Sequence, residues 1–393
     1  MQKKIVAMVL GLSMLFLVGC DTSKIAPTSG VIKESIEESL AAAAEESELA
    51  VEEETDEPEV DEEVAQEEET LEQIFRSRLS GEEITYNFLD HRPLAVMMNN
   101  IKEGCPQSGI EEASIVYECP VEGRITRLMG IFDQYEKVPK IGSIRSSRDY
   151  YVYLALEYDA IYAHFGQATV YVGELLNSTA VDNISGAVSG IEHPAANAFY
   201  RSNDRKPPHN VYISSEGLLE DIAEFGYRTT YRTGFKEKFT YCDLGERVAL
   251  AGDDVSVIYP GGKDKKGRNG FAAVSARFEY NAEDDKYYRY QYDGPHIDGE
   301  TGNQLTYDNV IFQYCDGFVR DSKDYLAFGL LGNNENKCQV FAGGKMVEGT
   351  WARNEIYEPA KYYDKDGNEI VINPGKTWIC VIWNDYADDV VLE

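Results

Sequence analysis

Arginine is the residue type whose placement most invites a chemical reading in this acidic chain. Glu122-Gly123-Arg124-Ile125-Thr126-Arg127 precedes one strand-like run. Ile141-Gly142-Ser143-Ile144-Arg145-Ser146-Ser147-Arg148-Asp149-Tyr150 opens a helix-like run, and Arg201 to Arg205 leads into Pro208-His209-Asn210. Guanidinium groups at strand ends and at a helix start can converge on one anionic group, with planar paired donors and free backbone N–H groups acting together. The candidate ligand-binding set is therefore Arg127, Arg145, Arg148, Arg201, Arg205 and His209, oriented by Glu122 and Asp149, with His164 at a strand end as a further donor when protonated. The same arginines can equally be neutralised by the neighbouring Glu and Asp and serve only to lock loops together.

Other chemistries lack their residues. Pro374-Gly375-Lys376-Thr377 ends like a phosphate-binding loop, but Ile370 stands where the first glycine is required and the flanks read as two strands, so it is a turn. There is no GxSxG elbow, HExxH pair or glycine-rich dinucleotide turn. The five histidines, His91, His164, His193, His209 and His296, are far apart, and no cysteine has zinc-ligand spacing, so neither a metal nor a cofactor is expected. Cys105, Cys119, Cys242, Cys315, Cys338 and Cys380 are even in number, which permits disulfides of fifteen possible connectivities; six free thiols are the equal alternative.

The elements that must position the arginines begin well inside the chain. Of 393 residues with net charge −32, residues 34–72 carry 19 acidic and no basic side chains, leaving −16 on residues 73–393. Such a balance argues against nucleic acid as a partner, because phosphate backbones are held by basic surface. At the N-terminus Lys3 and Lys4 precede the apolar run Ile5 to Val18, which closes on Leu17-Val18-Gly19-Cys20. Fourteen helical residues reach about 21 Å, short of the hydrocarbon core, so this is an export signal rather than a permanent span. Its end matches the bacterial lipobox, which predicts cleavage after residue 19 and acylation of Cys20, including palmitate-type chains, anchoring the protein to the outer face of the cell membrane. Residues 20–83 read as a lipidated, acidic, disordered tether of about 45 Å reach.

From Ile84 the composition becomes that of a folded protein. Leu94 to Met98, Ser114 to Tyr117, Thr126 to Phe132 and Ala160 to His164 read as strands; Asp149 to Tyr158, Ala168 to Leu176 and Ser215 to Phe225 read as helices, the last closed by Gly226. From about Val255 the pattern is almost wholly β, with strands predicted over Phe271 to Tyr280, Lys286 to Tyr292, Cys338 to Ala342 and Lys345 to Trp351. The expectation is an α+β chain of two domains, a mixed α/β domain over residues 84–238 and a mainly antiparallel β domain over 239–393, with the junction within Thr233 to Leu250.

The runs Arg92-Pro93-Leu94-Ala95-Val96-Met97-Met98-Asn99-Asn100, Pro106-Gln107-Ser108-Gly109-Ile110, Ile115-Val116-Tyr117-Glu118 and the arginine segments resemble the YerB-like lipoprotein family, whose N-terminal domain is classed as of unknown function. Asp308-Asn309-Val310, Gly343-Gly344-Lys345, Gly349-Thr350-Trp351 and Asn373-Pro374-Gly375-Lys376-Thr377-Trp378 are similar to its smaller C-terminal domain. The resemblance runs from about His91 to Val391. It implies a two-domain α+β extracytoplasmic lipoprotein without established catalytic activity. The chain departs from the family pattern at Arg124, where a glycine is common, and at Cys105, where a basic residue is common. The favoured reading is a binding lipoprotein for an anionic envelope ligand or protein partner. The alternatives are an envelope enzyme acting on a phosphate-bearing or glycan substrate, with His164 or His209 moving a proton, and a purely structural surface lipoprotein.

Overall fold

The structure is a computed structural model that describes residues 74–186, 188–248, 250–264 and 269–393. The export signal, Cys20 and nearly all of the acidic tether lie outside the described residues. Among those described, no helix is long and apolar enough to cross a membrane.

Strands dominate, because β-branched and aromatic residues fill short runs separated by turn residues. The principal sheet has eleven strands among the described residues and runs through both parts of the chain. Its N-terminal half is built from Ile115–Val121, Ile125–Phe132, Leu94–Met98, Ile161–His164 and Asn183–Ser185, in that spatial order. Its C-terminal half continues outward from Ile115–Val121 as Thr377–Trp383, Asn309–Cys315, Gly332–Ala342, Lys345–Arg353 and Asp253–Asp254, with Lys361–Tyr363 also paired to Lys345–Arg353. The seam is parallel, with Thr377 opposite Ile115 and Cys380 opposite Glu118.

The seam explains the apolar runs. Along Leu94–Met98 every residue is buried, because alternate side chains enter opposite layers: Ala95 and Met97 join Tyr117, Met129 and Ile131, whereas Leu94, Val96 and Met98 join Val116, Leu128 and Phe132. Thr377–Trp383 is likewise buried throughout. The N-terminal and C-terminal segments thus contribute halves of one sheet, and within the mainly antiparallel C-terminal part Thr377–Trp383 pairs in parallel on both sides. A smaller sheet from the C-terminal segment contains Val257–Tyr259, Arg277–Asn281 and Lys286–Gln291.

Most elements expected in the N-terminal segment are present: the helices span Asp149–Leu156, Thr169–Leu176 and Ser215–Glu224. Gly226 follows the last with φ 66°, the left-handed closure that glycine adopts without strain. One expectation is corrected. Phe271 to Tyr280 is not a single strand, because Asn269 caps a one-turn helix over Gly270–Ala273 by accepting from the Ala272 N–H at 2.9 Å, and strand begins only at Arg277. All six cysteines within the described residues are free.

Candidate functional site

The helix beginning at Asp149 organises the arginine cluster. Arg148 is its extended N-cap residue, and its carbonyl accepts from the N–H groups of Tyr151 and Val152. Residues 143–147, following the short strand Lys140–Gly142, approach the helix as an irregular segment. It is held by backbone bonds from Ile144 N to Val211 O (2.8 Å), Arg145 N to Met97 O (3.0 Å) and Ser147 N to Gly166 O (2.9 Å). Arg145 and Arg148 therefore emerge where the sheet, the Gly166 loop and the helix start meet.

Two guanidinium groups pair with one carboxylate there, and a third lies near them. Arg148 donates to both Glu122 oxygens, through Nε at 3.0 Å to Oε2 and through Nη2 to Oε1, and its Nη1 donates to Ser147 O at 2.6 Å. Arg127 is buried, donates to Ser146 O at 2.6 Å and stands 3.8 Å from Glu122 Oε1. Arg145 is half-buried; among the described residues no hydrogen bond or ion pair reaches its guanidinium, and its Nε is shielded from solvent. Burial and the neighbouring charge of Arg148 both depress the Arg127 and Arg145 pKa values, Arg127 to about 10. Burial would raise the Glu122 carboxyl, but Arg148 and Arg127 hold it below the usual range. For Arg148 the Glu122 pair outweighs burial and raises the pKa. Asp149 does not orient these groups: it turns to Arg320 Nη2 at 2.5 Å.

The remaining candidates divide. His209 is half-buried, its Nδ1 lies 3.0 Å from Asn99 Nδ2, and burial together with the Arg145 charge lowers its pKa, which places it on the Arg145 side of the cluster. Arg205 is tied to loop carbonyls, donating to Gly104 O and to Pro106 O at 2.5 Å. Arg201 is exposed, lies over the Phe165 ring and donates to Asn210 Oδ1 at 2.9 Å. His164 is fully buried, with Nδ1 2.8 Å from Gly166 O and Nε2 2.9 Å from Asn183 Oδ1, and burial pushes its pKa down to about 4. It positions the Gly166 loop and stays out of reach of a ligand in solvent.

Sequence reasoning missed the C-terminal contribution. The hairpin of Gly317–Val319 and Leu326–Phe328 leans against the helix start: Tyr325 lies under the Arg148 guanidinium at 5.1 Å and Asp321 accepts from Tyr171 at 2.8 Å. No local pattern announces this, since Arg320 and Asp149 are 171 residues apart. Arg124, at the tip of the Val121/Ile125 turn, has φ 58°, a left-handed backbone that glycine adopts more readily than arginine. Among the described residues no cluster of His, Cys, Asp and Glu could hold a metal ion.

Two family profiles match the chain. "Protein of unknown function (DUF3048) N-terminal domain" covers residues 79–228, and the corresponding C-terminal domain covers 269–379. The Bacillus subtilis (strain 168) protein named "Putative lipoprotein YerB" is 28% identical over 310 residues, spanning 78% of this chain and 86% of its own. The crystal structure of the YerB protein from Bacillus subtilis superposes with a TM-score of 0.67 at 25% identity, covering 81% of this chain and 99% of that one. With both profiles in order on one continuous sheet, the chain belongs to the YerB-like lipoprotein family.

Proposed function

We propose that this chain is a lipoprotein held at the extracytoplasmic face of the cell membrane through acylated Cys20, and that its arginine cluster binds a phosphate-bearing component of the envelope. The observation that carries this reading is the charge imbalance at the start of the Asp149 helix. Arg127 and Arg148 pair with one carboxylate, Glu122, and the nearby Arg145 has no partner among the described residues. A half-buried guanidinium without an anion is costly, whereas a bound phosphate would supply charge-assisted bonds and meet the free N–H groups of the helix start. His209, kept neutral by burial and Arg145, adds a ring nitrogen at the edge.

The whole chain in detergent, titrated calorimetrically with inorganic phosphate and pyrophosphate, should bind both, pyrophosphate more tightly. Arg145→Ala should weaken binding by about 1.5 to 3 kcal/mol while leaving the thermal midpoint nearly unchanged. Absence of binding by the unaltered chain, or a variant that loses stability but no affinity, would defeat the reading. The anchor is tested separately: Cys20→Ala should shift the protein out of the membrane fraction.

A further inference from the structure

The arginine cluster is shut in this conformation. Arg127 is 4% exposed and Arg148 6%. Each guanidinium nitrogen of Arg148 already donates, Nε and Nη2 to Glu122 and Nη1 to Ser147 O, and the Tyr325 ring lies against the guanidinium face at 5.1 Å. A phosphate arriving from solvent therefore meets the half-buried Arg145 first and reaches Arg148 only after its cover moves.

The hairpin that carries Tyr325 is fastened unevenly. Its strands, Gly317–Val319 and Leu326–Phe328, pair with each other and join neither the principal sheet nor the smaller one. One end is anchored in the core. Leu326 and Ala327 are buried, the Phe328 ring packs edge-on against Tyr150 and Trp383, and the Gly329 N–H donates to Asp316 O at 2.8 Å. The other end has no such hold. Phe318 is 61% exposed and Val319 48%, so these two side chains bury little apolar surface.

The tip, residues 320–325, closes on itself, with the Arg320 N–H donating to Tyr325 O at 2.7 Å and the Lys323 N–H to Asp321 Oδ1 at 2.9 Å. Polar and ring contacts latch it to the N-terminal segment. Arg320 Nη2 donates to Asp149 Oδ2 at 2.5 Å, and the Tyr171 hydroxyl donates to Asp321 Oδ2 at 2.8 Å. The Tyr171 ring stands 5.4 Å from Tyr325 and beneath the Arg320 guanidinium at 4.7 Å. Partly exposed ion pairs and single hydrogen bonds are weak, and an element with few buried apolar contacts opens well before the domain unfolds.

We propose that the tip is a lid over the arginine cluster, seen here in its closed form. Latched, it keeps Arg148 between Glu122 and Tyr325; swung away about the anchored end, it uncovers the guanidinium for a phosphate. This regulation rests on the phosphate-binding reading. The apparent affinity for the anion then scales with the fraction of molecules whose lid is open.

Hydrogen exchange on the whole chain in detergent, with and without pyrophosphate as the probe, tests this. An anion that selects the open form should speed exchange at residues 318–326 while slowing it at residues 145–150, whereas a ligand of a preformed site would slow both. Tyr171→Phe and Asp321→Asn each weaken the Tyr171–Asp321 bond. Both should speed hairpin exchange without ligand, leave exchange in Thr377–Trp383 unchanged, and tighten pyrophosphate binding by about threefold to tenfold. Unchanged hairpin exchange in both variants, or bound pyrophosphate that slows exchange at residues 318–326, would overturn the lid and leave the phosphate-binding reading standing. Failure of the unaltered chain to bind pyrophosphate would overturn both.

Discussion

Two sets of arginines in this molecule have opposite fates. Arg353 is fully buried and faces Glu157 Oε1 at 3.0 Å; the other oxygen of that carboxylate accepts from Lys238 Nζ and from Ala360 N. Arg353 also donates to Glu358 O at 2.9 Å and Tyr153 O at 2.7 Å. Arg289, equally buried, pairs with Glu118 at 2.9 Å, and Glu118 accepts in turn from Thr126 at 2.7 Å and Asn100 at 3.2 Å. Both networks join the N-terminal segment to the C-terminal one. Around Glu122, by contrast, Arg127 and Arg148 pair with one half-buried carboxylate, while Arg145 nearby has none. In the first arrangement each guanidinium has a buried carboxylate facing it, and these pairs tie the two halves of the sheet together. In the second, Arg127 and Arg148 pair with Glu122, and among the described residues no carboxylate pairs with Arg145. The two sets differ in the local count of carboxylates rather than in burial alone.

The comparison breaks first at the buried pairs. Glu157→Ala leaves Lys238 and Arg353 as uncompensated buried charges and should cost about 3 to 5 kcal/mol, read as a large fall in the denaturant midpoint. A cost near that of a surface change would show that the network is not a pin. Arg145→Ala, in the second set, should alter stability by no more than about 0.5 kcal/mol, because it removes no partnered contact.

Glu122→Gln sharpens the contrast. It should lower stability by about 1 kcal/mol while raising affinity for pyrophosphate, since it removes the one protein anion that competes with a ligand. The pH dependence has a definite sign. Glu122 is depressed in the folded state, so its stabilising contribution is present above the ordinary carboxylate range and is lost as pH falls through its folded pKa. Melting curves from neutral to acid pH should therefore show a loss that is reduced in Glu122→Gln. The smallest effect concerns the thiols. With all six described cysteines free, a reductant should leave the thermal midpoint unchanged, and a fall on reduction would reveal a disulfide.

Much of the N-terminal half is legible from residue order. Leu94–Met98, Ile125–Phe132 and the Ser215–Glu224 helix follow from apolar runs, helical periodicity and a closing glycine, all of which act within a few residues. The meeting of Arg127, Arg145 and Arg148 was foreseeable because each lies at an element end in the same segment. The scope of the cluster was not. Arg201 and Arg205 are spent on Asn210 and on loop carbonyls, His164 is sealed in the core, and Asp149 answers Arg320 from the other end of the chain.

The sequence by itself determined composition, charge distribution, most local elements and family membership, because periodicity, capping and motif order are properties of neighbouring residues. Only the tertiary structure decided that Thr377–Trp383 joins Ile115–Val121 in one parallel seam, which cysteines stay apart, and which arginines find a carboxylate. The seam and the Arg289–Glu118 pair join residues more than a hundred positions apart. Local pattern is silent about them, because a buried strand reads as the same apolar run whichever strand lies beside it.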